Sequence, residues 1–278
     1  MEQHYILEAI DAALLAGREI LAVYNDPSSD FGIERKADNS PLTLADKRAH
    51  EIIRKRLEQT PFPMLSEEGI SVPYAERCGW ETFWMVDPLD GTKEFIKRNG
   101  EFTVNIALIV GTKPVMGVVY VPVTKELYWG VEGDGAYRLA GITDGDGRTL
   151  EALKADAVRL PEVEERDRFV IVASRSHLTP ETEAYIEEMK RSHGDVELIS
   201  SGSSLKICLV ACGKADVYPR FAPTMEWDTA AGHAVAKAAG KEIYQAGTEQ
   251  PLLYNKENLL NPWFIVEDKH AHPKAESL

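Results

Sequence analysis

The chain opens on an apolar repeat of helical spacing. Ile6, Ile10, Leu14, Ile20, Leu21 and Tyr24 share one face, and Asn25-Asp26-Pro27 stops the run, so the pattern predicts an amphipathic helix. A second helix is expected after Pro41, where Thr43-Leu44-Ala45-Asp46 has the form of a capping box and Ala49, Ile52, Ile53 and Leu57 continue a single face up to Thr60-Pro61. From Phe83 to about Leu139 the period changes. The runs FWMVD, FTVNIALIV, PVMGVVYVP, ELYWGV and GAYRL read as strands, separated by hairpin-sized turns such as Gly-Thr-Lys-Pro and Pro-Val-Thr-Lys. An antiparallel sheet beside two helices follows from this pattern.

Gly141 to Arg148 is turn-rich and Glu162 to Arg168 is a charged run, which sets an expected domain boundary between an N-terminal α+β lobe, 1–161, and a C-terminal α/β lobe, 162–278. In the second lobe RFVIVASRSH reads as a strand, Glu181 to Met189 as a helix and DVELIS as a strand. GSSLKICLVACGKA begins with small residues and becomes a helix, ADVYPR is a short strand, and TAAGHAVAKAAG is an Ala-rich helix. Strands alternating with helices predict a parallel or mixed sheet. The tail after Asp268, with His270 and His272, reads as a disordered end.

With 278 residues, 44% of them hydrophobic, the chain has enough apolar surface for a large core in one or two domains. A net charge of -14 argues against a general affinity for nucleic-acid backbone or anionic lipid, and requires that any anionic substrate meet local positive charge, for which bound cations are the natural source. The three cysteines, Cys78, Cys208 and Cys212, form no CxxC pair and suggest no disulfide partner. Cys208 and Cys212 read as small buried hydrophobes on one helix face. No basic leader and no membrane-spanning apolar run occurs, so the sequence predicts a cytoplasmic setting and leaves association with the inner face of the membrane open.

The candidate chemistry lies in carboxylates at the ends of apolar elements. In WMVDPLDGT, Trp84 to Thr92, an apolar strand runs into a turn bearing Asp87 and Asp90. Pro88 removes an amide and fixes the bend, Gly91 permits a tight exit, the Leu89 carbonyl is a candidate neutral ligand, and the Thr92 hydroxyl could orient a water. Acids recur in KADNSPLTLAD, where Asp38 and Asp46 flank a Ser-Pro turn, in MLSEEG at Glu67 and Glu68, and in EWDTAAGHA, where Asp228 opens the Ala-rich helix. Each has an ordinary explanation as a helix-terminus acid, an N-cap or a solvated loop residue. Together, Glu67, Asp87, Asp90 and Asp228 are an oxygen-donor set of the kind magnesium demands.

The combination of SEE, WMVDPLDGT and WDTAAGHAVAKAAG resembles the lithium-sensitive, magnesium-dependent phosphatases of the inositol monophosphatase superfamily, over nearly the whole chain. SRSH and GSSLKICLVACGKADVYPR followed by WDTAAGHA are similar, within it, to bacterial 3'(2'),5'-bisphosphate nucleotidases of the CysQ type. The resemblance implies a layered α/β/α/β/α sandwich with the metal site between two lobes. It also implies hydrolysis of adenosine 3',5'-bisphosphate to AMP and phosphate, the clearance of a by-product of sulfate assimilation. By the same resemblance Glu67, Asp87 and the Leu89 carbonyl match one Mg2+ site, and Asp87, Asp90 and Asp228 a second. Glu67 and Thr92 match the residues that position the attacking water, and Asp46 a supporting acid near Thr92 that leaves a third, weaker ion open.

Glu67, Leu89, Asp90, Gly91, Thr92 and Asp228 would then border the substrate phosphate. The Ser203 and Ser204 hydroxyls, Lys206 and the amides opening their helix suit a retained 5'-phosphate or ribose, and Arg220 suits a phosphate. Lys206 and Arg220 could equally be ordinary solvated cations, and His177 a structural strand-end histidine. The competing functions are inositol-1-phosphate hydrolysis on the same metal site and a non-enzymatic, metal-stabilised regulatory protein. The expected partner is a nucleotide bisphosphate, with a homodimer left open.

Overall fold

The computed structural model describes residues 3–28, 30–35, 41–143, 147–162, 167–174 and 179–268. Asp38, His177, His270 and His272 fall outside these residues, as does the tail after Asp268. The N-terminal part begins with α1 (Gln3–Tyr24), a small antiparallel pair β1 (Glu34–Arg35) and β2 (Pro41–Leu42), and α2 (Leu44–Leu57). It continues through β3 (Met64–Ser66), α3 (Tyr74–Arg77), β4 (Thr82–Asp90), α4 (Thr92–Ile96), β5 (Thr103–Val110), β6 (Lys113–Val121), β7 (Glu126–Val131), β8 (Gly135–Ala140), α5 (Leu150–Asp156) and β9 (Val158–Leu160). Strands β3 to β9 form one seven-stranded sheet in sequence order, antiparallel except where β3 runs parallel to β4.

The apolar runs have no polar alternation because both faces of this sheet are covered. Trp84, Val86, Val104, Ile106, Leu108, Val118 and Trp129 point into a core shared with α1 and α2. Their neighbours Phe83, Met85, Ala107, Ile109, Val119 and Tyr128 point into a second core, built with the C-terminal helices. A strand that alternates between two cores reads as continuously hydrophobic.

The C-terminal part contains β10 (Phe169–Ser174), α6 (Pro180–His193), β11 (Val196–Ser201), α7 (Leu205–Ala211), β12 (Tyr218–Arg220), α8 (Glu226–Ala238), β13 (Lys241–Gln245) and β14 (Phe264–Asp268). Parallel β10 and β11 join the antiparallel order β12-β14-β13 through the bridge between Ile171 and Val217, giving the expected mixed arrangement. Helix α8 lies between the two sheets, with Ala231 and Val235 in the core facing the large sheet and Ile243 and Val266 of the small sheet closing it from beyond. Ile186 of α6 packs on Ile171 and Val217 at the outer face. The layers are therefore α1 and α2, the large sheet, α7 and α8, the second sheet, and α6: an α/β/α/β/α sandwich, as the resemblance implied.

Two glycines allow α8 to lie so close. A Cβ at Gly117 of β6 would sit 2.2 Å from the Ala231 carbonyl oxygen, and one at Gly130 of β7 would sit 2.7 Å from the Val235 Cα. Cys208 and Cys212 are buried in the core beside this helix, as small hydrophobes would be.

Candidate metal and phosphate site

The expected turn at Asp87 needs a correction. Strand β4 continues through Asp90, and the pairing slips: Asp87 faces Asn105 and Asp90 faces Thr103, so three steps on β4 match two on β5. In a regular strand residues three apart point to opposite faces. The extra residue of a bulge resets that parity and brings the two aspartates to the same side. Gly91, at φ 93, then turns the chain into α4, whose first residue is Thr92.

Three acids from distant elements converge beside this bulge. Glu67 follows β3 and is held by its amide donating to the Val86 carbonyl at 3.1 Å. Asp228 sits in the first turn of α8, where its Oδ2 accepts from the Met225 amide at 2.8 Å. Glu67, Asp87 and Asp228 each place one carboxylate oxygen within 4.8 Å of the others. Asp87 is buried, its Oδ1 accepts from the Leu89 amide at 3.0 Å, and its Oδ2 has no hydrogen-bond partner. Burial, then the charges of Glu67, Asp90, Asp228 and Asp46, hold the Asp87 carboxyl well above the usual carboxylate range. Burial followed by Asp90 and Glu67 does the same to Asp228.

A buried carboxylate oxygen without a donor, facing other carboxylates, is costly unless a cation shares it. The donors are all oxygen, as a hard divalent cation requires. The residues present therefore fit Mg2+.

Asp90 stands slightly apart from this trio. Its Oδ2 accepts from the Ser203 hydroxyl and the Ser204 amide, each at 2.6 Å, so it ties the end of β4 to the loop before α7. Thr103 Oγ1 lies 2.6 Å from Ser203 Oγ and 2.8 Å from Ser204 Oγ, and Ser204 donates to Asn105 Oδ1 at 2.8 Å. Asn105 Nδ2 is buried without a partner on the strand beside Asp87. Neither Thr103 nor Asn105 was expected at the site. Asn105 did carry a signal, as the single amide within the apolar run FTVNIALIV.

Asp46 and Thr92 are brought together as expected. Thr92 Oγ1 donates to Asp46 Oδ1 at 3.1 Å, with the Leu89 carbonyl as a longer alternative at 3.4 Å, while the other Asp46 oxygen accepts from the Thr43 amide and hydroxyl in the expected capping box.

The cleft beyond is lined by Asp90, Gly91, Ser203, Lys206, Arg220 and Asp228, and also by Glu94, Asn99 and Glu101. Lys206 is no ordinary solvated cation: it is buried, and its Nζ donates to the Ser203 carbonyl at 2.6 Å and the Ser201 carbonyl at 3.3 Å. Burial lowers its pKa to about 8. Two of the three ammonium hydrogens are thereby engaged. Arg220 reaches the Pro223 carbonyl at 3.2 Å, and its Nε is buried without a partner. Ser203 adopts φ 53, a left-handed conformation that a non-glycine residue takes only when its surroundings hold it there.

Residues 2–275 match the model of the inositol monophosphatase family. The chain is 45% identical over 254 residues to the 3'(2'),5'-bisphosphate nucleotidase CysQ of Escherichia coli K12, covering 90% of this chain and 94% of that one. A crystal structure of CysQ from Bacteroides thetaiotaomicron, titled a bacterial member of the inositol monophosphatase family, superposes with a TM-score of 0.90 at 66% identity, covering 96% of this chain and 98% of the other. The extragenic suppressor protein suhB of Bartonella henselae aligns with a TM-score of 0.69 at 25% identity, over 95% and 93% of the two chains.

Proposed function

The chain belongs to the inositol monophosphatase family, and from that premise we propose that it is a magnesium-dependent phosphatase of adenosine 3',5'-bisphosphate. The products are AMP and inorganic phosphate, and the physiological role is by-product clearance in sulfate assimilation. The observation that carries the phosphatase reading is the convergence of Glu67, Asp87 and Asp228 around an unpartnered Asp87 oxygen. The nucleotide reading is supported by the likeness to the CysQ nucleotidases and by two cationic side chains in the adjoining cleft.

Glu67, Asp87 and the Leu89 carbonyl would hold one Mg2+, and Asp87, Asp90 and Asp228 a second. Both oxygens of Asp46 already accept hydrogen bonds, which leaves little capacity for a third ion there. Bound magnesium supplies Lewis acidity, offsetting phosphoryl charge and making water a stronger acid.

The protein supplies orientation. Because the Thr92 proton is directed to Asp46, the Thr92 oxygen lone pairs face outward as an acceptor for a water proton. Glu67 accepts the second proton direction, so the pair aims the water oxygen at phosphorus. As that oxygen bonds to phosphorus it gives a proton to the Glu67 carboxylate and the bond to the 3'-oxygen breaks in line; the leaving oxygen takes a proton from solvent water to become the 3'-hydroxyl of AMP, and Glu67 returns its proton to solvent.

Arg220 and the remaining ammonium hydrogen of Lys206 would grip the retained 5'-phosphate, with Ser203 and the Gly91 backbone bordering it. The test is a double comparison. A charge-assisted contact to phosphate is worth about 1.5–3 kcal/mol, roughly a ten- to hundredfold change in kcat/KM. Arg220→Ala and Lys206→Ala should lose at least tenfold on adenosine 3',5'-bisphosphate and little on a small phosphomonoester that cannot reach them. Equal losses on both compounds would mark a folding defect, and no loss on either would remove the nucleotide assignment.

A further inference from the structure

Between β13 and β14 the chain passes through residues 253–261 without helix or strand. This segment lies as a strap across the start of α8, and its main anchor is Glu226, two positions before Asp228. Glu226 is completely buried. Its Oε2 accepts from the Asn255 amide at 2.6 Å, and its Oε1 accepts from the Lys256 amide at 3.0 Å and the Lys256 ammonium at 2.5 Å. The Glu226 amide donates back to the Leu259 carbonyl at 2.9 Å, and Asn261 Nδ2 donates to the Met225 carbonyl at 2.8 Å and to Thr229 Oγ1 at 3.1 Å.

The strap has a second attachment. Arg77 of α3, also buried, donates to Asn255 Oδ1 at 2.8 Å and to the Glu257 carbonyl at 2.9 Å, while Asn255 Nδ2 donates to the Arg77 carbonyl at 2.8 Å. Asn255 holds φ 65 at the turn that makes both attachments possible. Helix α3 lies between Glu67 and β4 in the chain, so the strap links the segment that carries Glu67 to the helix that carries Asp228.

A buried carboxylate with three donors and a buried guanidinium make an expensive way to fasten a loop, since apolar packing would do so at lower desolvation cost. What polar partners add is fixed geometry. We propose that the strap is the positioning element of the metal site: Glu226, through Asn255 and Arg77, sets the separation of Asp228 from Glu67 and Asp87. The proposal rests on the reading that those three acids hold Mg2+.

The test is Mg2+ binding, followed as the Mg2+-induced rise in Tm and as half-saturation of phosphate release. Glu226→Gln places an amide donor against the strap's donors, and Asn255→Gly keeps the turn while removing both bonds between the Asn255 side chain and Arg77, leaving only the Arg77 bond to the Glu257 carbonyl. Ile20→Val, in the core on the far side of the large sheet, serves as a control for general destabilisation.

Losing a group that orients metal ligands typically weakens metal affinity by about 10–100-fold. Both strap variants should show that loss, with turnover approaching the parent value at high Mg2+, while Ile20→Val lowers Tm and leaves Mg2+ half-saturation unchanged. If the strap variants lose Tm like the control and keep parental Mg2+ affinity, the strap is only a structural tie and the proposal fails. Should Glu226→Gln not fold, Asn255→Gly decides alone. A parent protein whose Tm does not respond to Mg2+ overturns the metal-site reading and this proposal with it. Mg2+ binding without bisphosphate hydrolysis overturns the substrate assignment alone.

Discussion

At the scale of single residues, the site is a set of groups that would be unfavourable in a purely structural protein. Asp87 is the extreme case: a buried carboxylate, one oxygen without a donor, pushed well above the usual carboxylate range by burial and by its acidic neighbours. A carboxyl raised in this way binds more protons folded than unfolded. Its stability contribution is therefore full below about pH 4 and is lost as pH rises through the raised value. With Mg2+ chelated, Asp87→Asn should be more stable than the parent, and the gap should widen from acid to neutral pH. A relief of about 1 kcal/mol would appear as a Tm rise of roughly 2 °C or more. The same variant should lose its Tm response to Mg2+ and its activity.

Thr92 makes a different prediction, because on the proposed reading it aims water without holding the metal. Thr92→Val should lower kcat by about a hundredfold or more, Thr92→Ser should recover most of it, and Mg2+ half-saturation should stay near the parent value in both. Unchanged kcat in Thr92→Val would remove its water-orienting role. The principal acids were legible in the sequence because each ends an apolar run, which is where a carboxylate needs a reason. Glu226 lay inside the same motif as Asp228 and gave no separate signal, since its partners Asn255 and Lys256 come from a stretch with no periodicity. The burial of Lys206 was equally invisible, because a lysine at the start of a helix is normally solvated.

At the scale of elements, the apolar runs located β4 to β8 and the capping box located α2, because local chemistry decides both. The parity of β4 could not be read. Whether D-P-L-D is a turn or a bulge depends on pairing with β5, and that pairing alone brings Asp87 and Asp90 to one side. Strands β13 and β14 went unread because each is short and their partners are distant in the chain. The close approach of α8 to the large sheet likewise depends on glycines whose reason appears only in three dimensions. Gly117→Ala would drive a methyl group against the Ala231 carbonyl. Overpacking of this kind costs about 1–3 kcal/mol, measurable as a lower urea midpoint. Because the displaced helix carries Asp228, Mg2+ affinity should fall as well, and a variant with parental stability and Mg2+ affinity would contradict this packing role.

At the scale of the whole molecule, the layers of the α/β/α/β/α sandwich bring together acids from the residue after β3, from β4 and from α8, and the loop before α7 is tied to them through Asp90. We propose that the chain divides functionally at 161/162, with the first lobe supplying Glu67, Asp87, Asp90 and Thr92 and the second Asp228, Lys206 and Arg220. The lobes are not independent cores, since Phe83 and Met85 of the first pack in one cluster with Val235 and Val266 of the second. Among the described residues no helix is long and apolar enough to cross a membrane. Family membership was legible from three short motifs. The nucleotidase class was legible from SRSH and GSSLKICLVACGKADVYPR, whereas the way Lys206 and Arg220 are presented across the cleft was not, because it depends on packing between distant segments. The most direct test is phosphate release from adenosine 3',5'-bisphosphate, inositol 1-phosphate and fructose 1,6-bisphosphate, with Mg2+ and with a chelator. The bisphosphate nucleotide should lead in kcat/KM by roughly a hundredfold, as one strong or two weaker phosphate contacts would give, and chelation should abolish all three activities. Comparable or better hydrolysis of inositol 1-phosphate, or phosphate release that survives the chelator, would contradict the account.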